Sequence, residues 1–129
     1  MKESRITYYV GEKGTRPWGE WQVLDLQSHV VVKKLLVYPG GRISLQRHQH
    51  RTERWIVTEG VAKVRCDNNV MHLSVGESIV IPSGSLHRLS NQGTTRGLRI
   101  FVEWIEQLPY STTHITLSTP SVVLCYAAI

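Results

Sequence analysis

Cysteine is scarce in this chain: two in 129 residues, Cys66 and Cys125. They form no C-x-x-C unit and stand far apart, which argues against a thiolate site, so two buried, reduced thiols are expected. Long apolar runs are also missing. The longest near the carboxyl end, "VVLCYAAI", falls far short of the roughly 18 residues that a membrane span needs. The opening "MKESRITYYVGEKG" has neither the apolar core nor the small-residue cleavage pattern of a signal peptide. These features predict a cytoplasmic protein without membrane contact. No long segment carries a helical apolar period, and neither a repeat nor a low-complexity stretch occurs.

Acidic residues are outnumbered, with ten Asp and Glu against fifteen Lys and Arg, a formal charge of +5. The basic residues, arginines 42, 47, 51, 54, 65, 88, 96 and 99 among them, are scattered through the chain, and no nucleic-acid motif accompanies them. A solvated basic surface accounts for most of them, a pocket for a phosphorylated small molecule is the specific alternative, and no nucleic-acid partner is expected.

What the chain does contain is a series of short runs rich in Val, Ile, Leu and Trp, among them "WQVLDL", "HVVVKKLLVY", "RISLQRH", "RWIVTE", "VAKVRC", "ESIVIP" and "LRIFVEWI". Between them lie "PGG", "EG", "DNN", "VG", "PSG" and "NQG", each with the Gly, Pro or Asn that tight turns require. Many short strands at regular spacing predict an all-β sandwich or barrel, and the length suits one domain.

Within "SLQRHQHRTERW", alternation along a strand places Ser44, Gln46, His48 and His50 on one face. Were that face exposed, burying Ile43 and Leu45 would carry Arg47 inwards as well. Were it interior, several polar side chains would be buried side by side, a costly arrangement unless a metal ion or polar ligand pairs with them. An H-x-H pair alone is a weak signal. The later stretch "GESIVIPSGSLHRLSN" strengthens it, because His87 there offers a further ligand from a distant strand.

The two stretches resemble the paired motifs of the cupin superfamily. Gly41, His48, His50, Glu53 and Gly60 fit the first motif, and Gly76, Pro82, Gly84, His87 and Asn91 fit the second. The resemblance implies a double-stranded β-helix, or jelly-roll, barrel. The whole of residues 1–129 then forms a single cupin domain, with a barrel core of about 16–105 and a divergent tail over 106–129. It also implies a divalent metal held by His48, His50, Glu53 and His87, with zinc first in order and Mn, Fe or Ni as alternatives. Imidazole and carboxylate suit all four metals and leave positions open for substrate.

A closer resemblance follows from "RPWGEW", "VKKLLVYPGGRISLQRHQHRTERW", "GVAKV" and "ESIVIPSGSLHRLSN". Together they are similar to the type II mannose-6-phosphate isomerase domain, which is often fused behind a mannose-1-phosphate guanylyltransferase. The guanylyltransferase glycine-rich nucleotide motif is not in these 129 residues, so no nucleotidyl transfer is expected. The family resemblance implies interconversion of mannose 6-phosphate and fructose 6-phosphate through an enediol. Gln46 and Arg88 are the expected substrate contacts, and Lys33 and Glu103 the candidates for proton transfer. The tail "EQLPYSTTHITLSTPSVVLCYAAI" departs from the family pattern. It keeps open a non-catalytic sugar- or sugar-phosphate-binding cupin and, further off, another metal-dependent cupin enzyme such as a dioxygenase. Apolar residues on both faces of "VVVKKLLVY" and "LRIFVEW" predict a homodimer, and the Ser/Thr/Val-rich tail is expected to add a strand paired within it.

Overall fold

The computed structural model describes residues 7–106 and the backbone of Val122–Leu124. The strands are β1 (Lys13–Arg16), β2 (Gly19–Leu26), β3 (Val30–Val37), β4 (Arg51–Glu59), β5 (Ala62–Cys66), β6 (Asn69–Leu73), β7 (Ser78–Ile81), β8 (His87–Ser90), β9 (Leu98–Glu106) and β10 (Val122–Leu124), with no helix among the described residues. Seven form a sheet in the order β1-β2-β3-β9-β4-β7-β10, and three form a second sheet, β6-β5-β8.

Strand β9 illustrates how sequence becomes layer. Leu98, Ile100, Val102 and Trp104 are buried while Arg99, Phe101, Glu103 and Ile105 are exposed, the period of two that a sheet with one solvated face requires. The inward residues of β9, together with Val31, Val37, Trp55 and Val57, pack against Val64, Cys66, Leu73 and Leu89 of the smaller sheet in one core. Each buried Val, Ile or Leu contributes about 1.5–3 kcal/mol relative to exposure, so the enclosed space between the sheets is well supported.

Two turn positions require glycine. Gly19, ending "RPWG", has φ +156°, and a Cβ there would meet the Leu36 carbonyl oxygen at 1.8 Å. Gly60 has φ +85° where β4 gives way to β5, a conformation that residues with a Cβ rarely adopt.

Three expectations are corrected. "RISLQRH" is not a continuous strand: over residues 42–48 strand pairing is confined to isolated bridges, Arg42 to Ser90 and Gln46 to His87. The short separation between the "PGG" turn and β4 leaves this stretch as a connecting arm, so strict alternation does not govern it beyond His48. The tail strand β10 pairs in parallel with β7 of its own sheet, Val122 opposite Ser78 and Leu124 opposite Val80, instead of waiting for a second chain. Cys66, fully buried on β5, is disulfide-bonded. Sequence separation gives no measure of distance in space, which is why a reduced thiol was expected; Cys125 lies outside the described residues.

Candidate metal centre

The arm and β8 lie antiparallel where Gln46 N–H donates to the His87 carbonyl at 2.9 Å and His87 N–H donates to the Gln46 carbonyl at 2.8 Å. The "PSG" turn is fastened to the same arm, since Gly84, at φ +87°, donates its N–H to the His48 carbonyl at 2.7 Å. Ser83 Oγ donates to the Arg51 carbonyl at 3.1 Å. The two motifs, some forty residues apart in sequence, are thus joined by backbone before any ligand chemistry is considered.

Three side chains converge there. Glu53 Oε2 stands 3.2 Å from His48 Nε2 and 3.7 Å from His87 Nε2, and one ligand atom from each lies within 4.8 Å of the others. Each is oriented by a second contact. His87 Nδ1–H donates to the Ser85 carbonyl at 3.0 Å, which leaves the Nε2 lone pair directed at the cluster. The Trp55 indole N–H donates to Glu53 Oε1 at 2.8 Å and holds the carboxylate so that Oε2 points inwards. Glu53 Oε2 is buried and accepts no hydrogen bond. Two imidazole nitrogens and an unsatisfied carboxylate oxygen converging on one point fit a divalent metal.

Gln46 belongs to this group: its Oε1 is 3.3 Å from His48 Nε2, and it lines the pocket. His50 does not. It is exposed, in a bend just before β4, and lies outside the three-residue cluster. The wall of the site is therefore Gln46-x-His48, one alternation earlier than the H-x-H pair, and four residues separate His48 from Glu53.

Arg51, which the sequence reading passed over, takes the position nearest the ligands. Its Nη2 donates to His48 Nε2 at 2.7 Å, its Nε is 3.2 Å from Glu53 Oε2, and its guanidinium lies 4.3 Å from the centre of the Trp104 ring. Burial, followed by the Arg51 charge, pushes the His48 imidazole down to about 4, against the pull of Glu53 and with a smaller push from His87. The His48 imidazole is thus neutral at physiological pH, the form that can donate a lone pair to a metal.

Around this cluster opens a pocket of about 530 Å³, lined by all four tryptophans of the chain (18, 21, 55 and 104) and by Tyr8. Lys33, Arg16 and Arg88 also line it, whereas Glu103 is exposed on the outer face of β9 and does not. Lys33 is 9% exposed, with its Nζ 3.8 Å from the centre of the Tyr8 ring, 4.4 Å from Trp21 and 5.0 Å from Trp104. The aromatic lining was also missed by the motif-based reading. The alternation of β9 carried the signal, because Leu98, Ile100 and Val102 facing inwards commit Trp104 to the same side.

The structure is similar to cupins of low sequence identity. It matches KdgF from Halomonas sp. with a TM-score of 0.67 at 12% identity, over 74% of this chain and 86% of that one. A RmlC-like cupin from Shewanella frigidimarina matches with a TM-score of 0.65 at 19% identity, over 85% and 97%. In sequence the chain is 46% identical over 78 residues to the alginate biosynthesis protein AlgA of Pseudomonas aeruginosa, covering 60% of this chain and 16% of AlgA. It is 40% identical over 91 residues to a mannose-1-phosphate guanylyltransferase of Escherichia coli, covering 70% of this chain and 19% of the relative. The chain thus spans less than a fifth of either curated relative. Residues 3–106 match the family model described as mannose-6-phosphate isomerase C-terminal, and the chain, an all-β cupin, belongs to that family.

Proposed function

We propose that this domain is a metal-dependent sugar-phosphate isomerase interconverting mannose 6-phosphate and fructose 6-phosphate. The observation that carries the reading is the convergence of His48, Glu53 and His87 beside a pocket whose lining includes aromatic rings and cations. The family to which the chain belongs supports the same substrate class.

His48, Glu53 and His87 would hold the metal, with Gln46 Oε1 as a fourth donor in place of His50. A divalent ion held there would supply Lewis acidity for the C1 and C2 oxygens. The reaction moves a proton from C2 to C1 and a hydroxyl proton from O2 to O1, with an enediol between. The chain's own residues narrow this chemistry. Trp55 keeps Glu53 pointed at the site, and the Ser85 carbonyl sets the His87 tautomer. Of the two proton-transfer candidates only Lys33 lines the pocket. Arg88 lines it too, and its buried Nε lacks a hydrogen-bond partner, which suits the expected substrate contact.

A second reading, a sugar-phosphate-binding cupin without turnover, is favoured by one observation. Arg51 already pairs with both His48 and Glu53, so the cluster can be neutralised by a guanidinium alone. A coupled assay for fructose 6-phosphate, run on protein loaded with Zn, Mn, Fe or Ni beside His87→Ala, separates the two. Turnover that needs both the metal and His87 supports the isomerase; mannose 6-phosphate binding without turnover in any metal form supports the binding cupin.

A further inference from the structure

We propose that Lys33, Arg16 and the Trp104 indole N–H form an anion subsite that holds a phosphate monoester. The subsite rests on, and deepens, the sugar-phosphate reading; it sets Lys33 at the phosphate end, away from C1 and C2, in place of the proton-transfer role.

Two indoles link three cations. The Arg16 guanidinium lies 5.8 Å from the centre of the Trp21 ring, whose face Lys33 Nζ also meets at 4.4 Å. Trp104 is in turn shared by Lys33 at 5.0 Å and Arg51 at 4.3 Å. Arg51 has a carboxylate partner in Glu53. Among the described residues neither Lys33 nor Arg16 forms an ion pair with a carboxylate. A nearly buried ammonium thus has aromatic rings as its described neighbours, an arrangement that desolvation disfavours unless an anion completes it; the exposed Arg16 and the carboxylate residue Glu12 line the same pocket. Ring faces attract a cation but do not neutralise it.

The neighbouring donor is also unpaired. Trp104 Nε1 is buried and has no hydrogen-bond partner, although a buried indole N–H is normally satisfied. A phosphate monoester offers three terminal acceptor oxygens and up to two negative charges, enough for an ammonium, a guanidinium and an indole N–H together. A neutral sugar hydroxyl would satisfy the N–H but leave both charges.

The spacing suits a sugar phosphate whose other end reaches the metal ligands. Across the sheet Trp55 of β4 stands opposite Val102 of β9, and Val102 opposite Lys33 of β3, with Glu53 two residues from Trp55. Two strand spacings and one two-residue step place the backbone of Lys33 roughly 10–12 Å from that of Glu53. Both residues line the same pocket, so a sugar phosphate held at Lys33 stays within reach of Glu53.

Calorimetric titration of the metal-loaded protein with mannose 6-phosphate, inorganic phosphate and mannose tests this. Wild type should bind mannose 6-phosphate at least tenfold more tightly than mannose. Lys33→Met should lose most of that difference while binding mannose as before, and Trp104→Phe, which keeps the ring and removes the N–H, should weaken phosphate binding severalfold. Should Lys33→Met fail to fold, Arg16→Gln and Trp104→Phe carry the test. Phosphate affinity unchanged in these variants, or no preference for mannose 6-phosphate over mannose in wild type, overturns the subsite. Phosphate binding that depends on Lys33 but comes without isomerase turnover would uphold the subsite and overturn the isomerase. Turnover with an unchanged KM in Lys33→Met would do the reverse.

Discussion

Gln46 and His87 face each other as an antiparallel bridge, exchanging both backbone hydrogen bonds. That bridge, with no side chain involved, brings the early and late motifs together and decides which side chains of the arm look into the pocket. Gln46 lines the pocket and His48 joins Glu53 and His87 in the cluster beside it; His50, beyond the bend, does neither. His50→Ala should therefore leave metal affinity within about twofold, whereas Gln46→Ala should weaken it about tenfold, in the range of metal-site supporting residues. Competition against a chromophoric chelator measures both.

Arg51 is the cation nearest the ligands, and its charge opposes a second cation. Replacing it with methionine, which keeps the stem and drops the guanidinium, should increase metal affinity severalfold. An Arg51→Met protein with weakened metal binding would show that Arg51 supports the ligands instead of competing for them.

His48 also predicts a pH dependence. Its imidazole is held at about 4 in the folded chain against 6.5 for the ordinary group. Between those values the unfolded chain binds the proton and the folded chain does not, so stability falls as pH drops from about 6.5 towards 4 and this contribution levels off below. Urea midpoints of chelator-treated protein should decline more steeply over that window in wild type than in His48→Gln. Parallel declines would remove His48 as the cause.

Asn91 closes the second motif by holding backbone, without touching the cluster. Its side-chain amide donates to the carbonyls of Val37 at 3.1 Å and Arg96 at 2.7 Å, and its Oδ1 accepts from Gly93 N–H at 3.0 Å. Asn91→Ala strands buried carbonyls and should cost about 2–3 kcal/mol. Chemical denaturation reads this directly, and metal affinity of the folded fraction should be unchanged.

The outer face of the large sheet exposes Leu24, Phe101 and Ile105, and a homodimer formed through it is expected. Sedimentation should give twice the chain mass for wild type and the chain mass for Phe101→Asp. A monomeric wild type at high concentration would count against the dimer.

The strands were legible because most carry period-two patterns bounded by Gly, Pro and Asn, as β9 shows residue by residue. Glu53 and His87 were legible for a related reason: each lies in a regular strand, where spacing maps onto direction. The arm before β4 was not, since a segment held by isolated bridges has no period to read, and a shift of one alternation exchanged Gln46 for His50 at the cluster. Arg51 was hidden because a basic residue in a basic chain carries no distinguishing mark. Lys33 is one of two adjacent lysines in "VVVKKLLVY", and its aromatic surroundings come from Tyr8, Trp21 and Trp104, residues brought together only by the fold.

The most direct test of the account is metal titration of the wild-type chain beside His48→Ala, His50→Ala, Glu53→Gln and His87→Ala, with bound metal counted by elemental analysis after gel filtration. One ion per chain in wild type and in His50→Ala, and loss of binding in the other three, is the result expected from a centre built on His48, Glu53 and His87. Binding that survives in those three, or that disappears in His50→Ala, would contradict it.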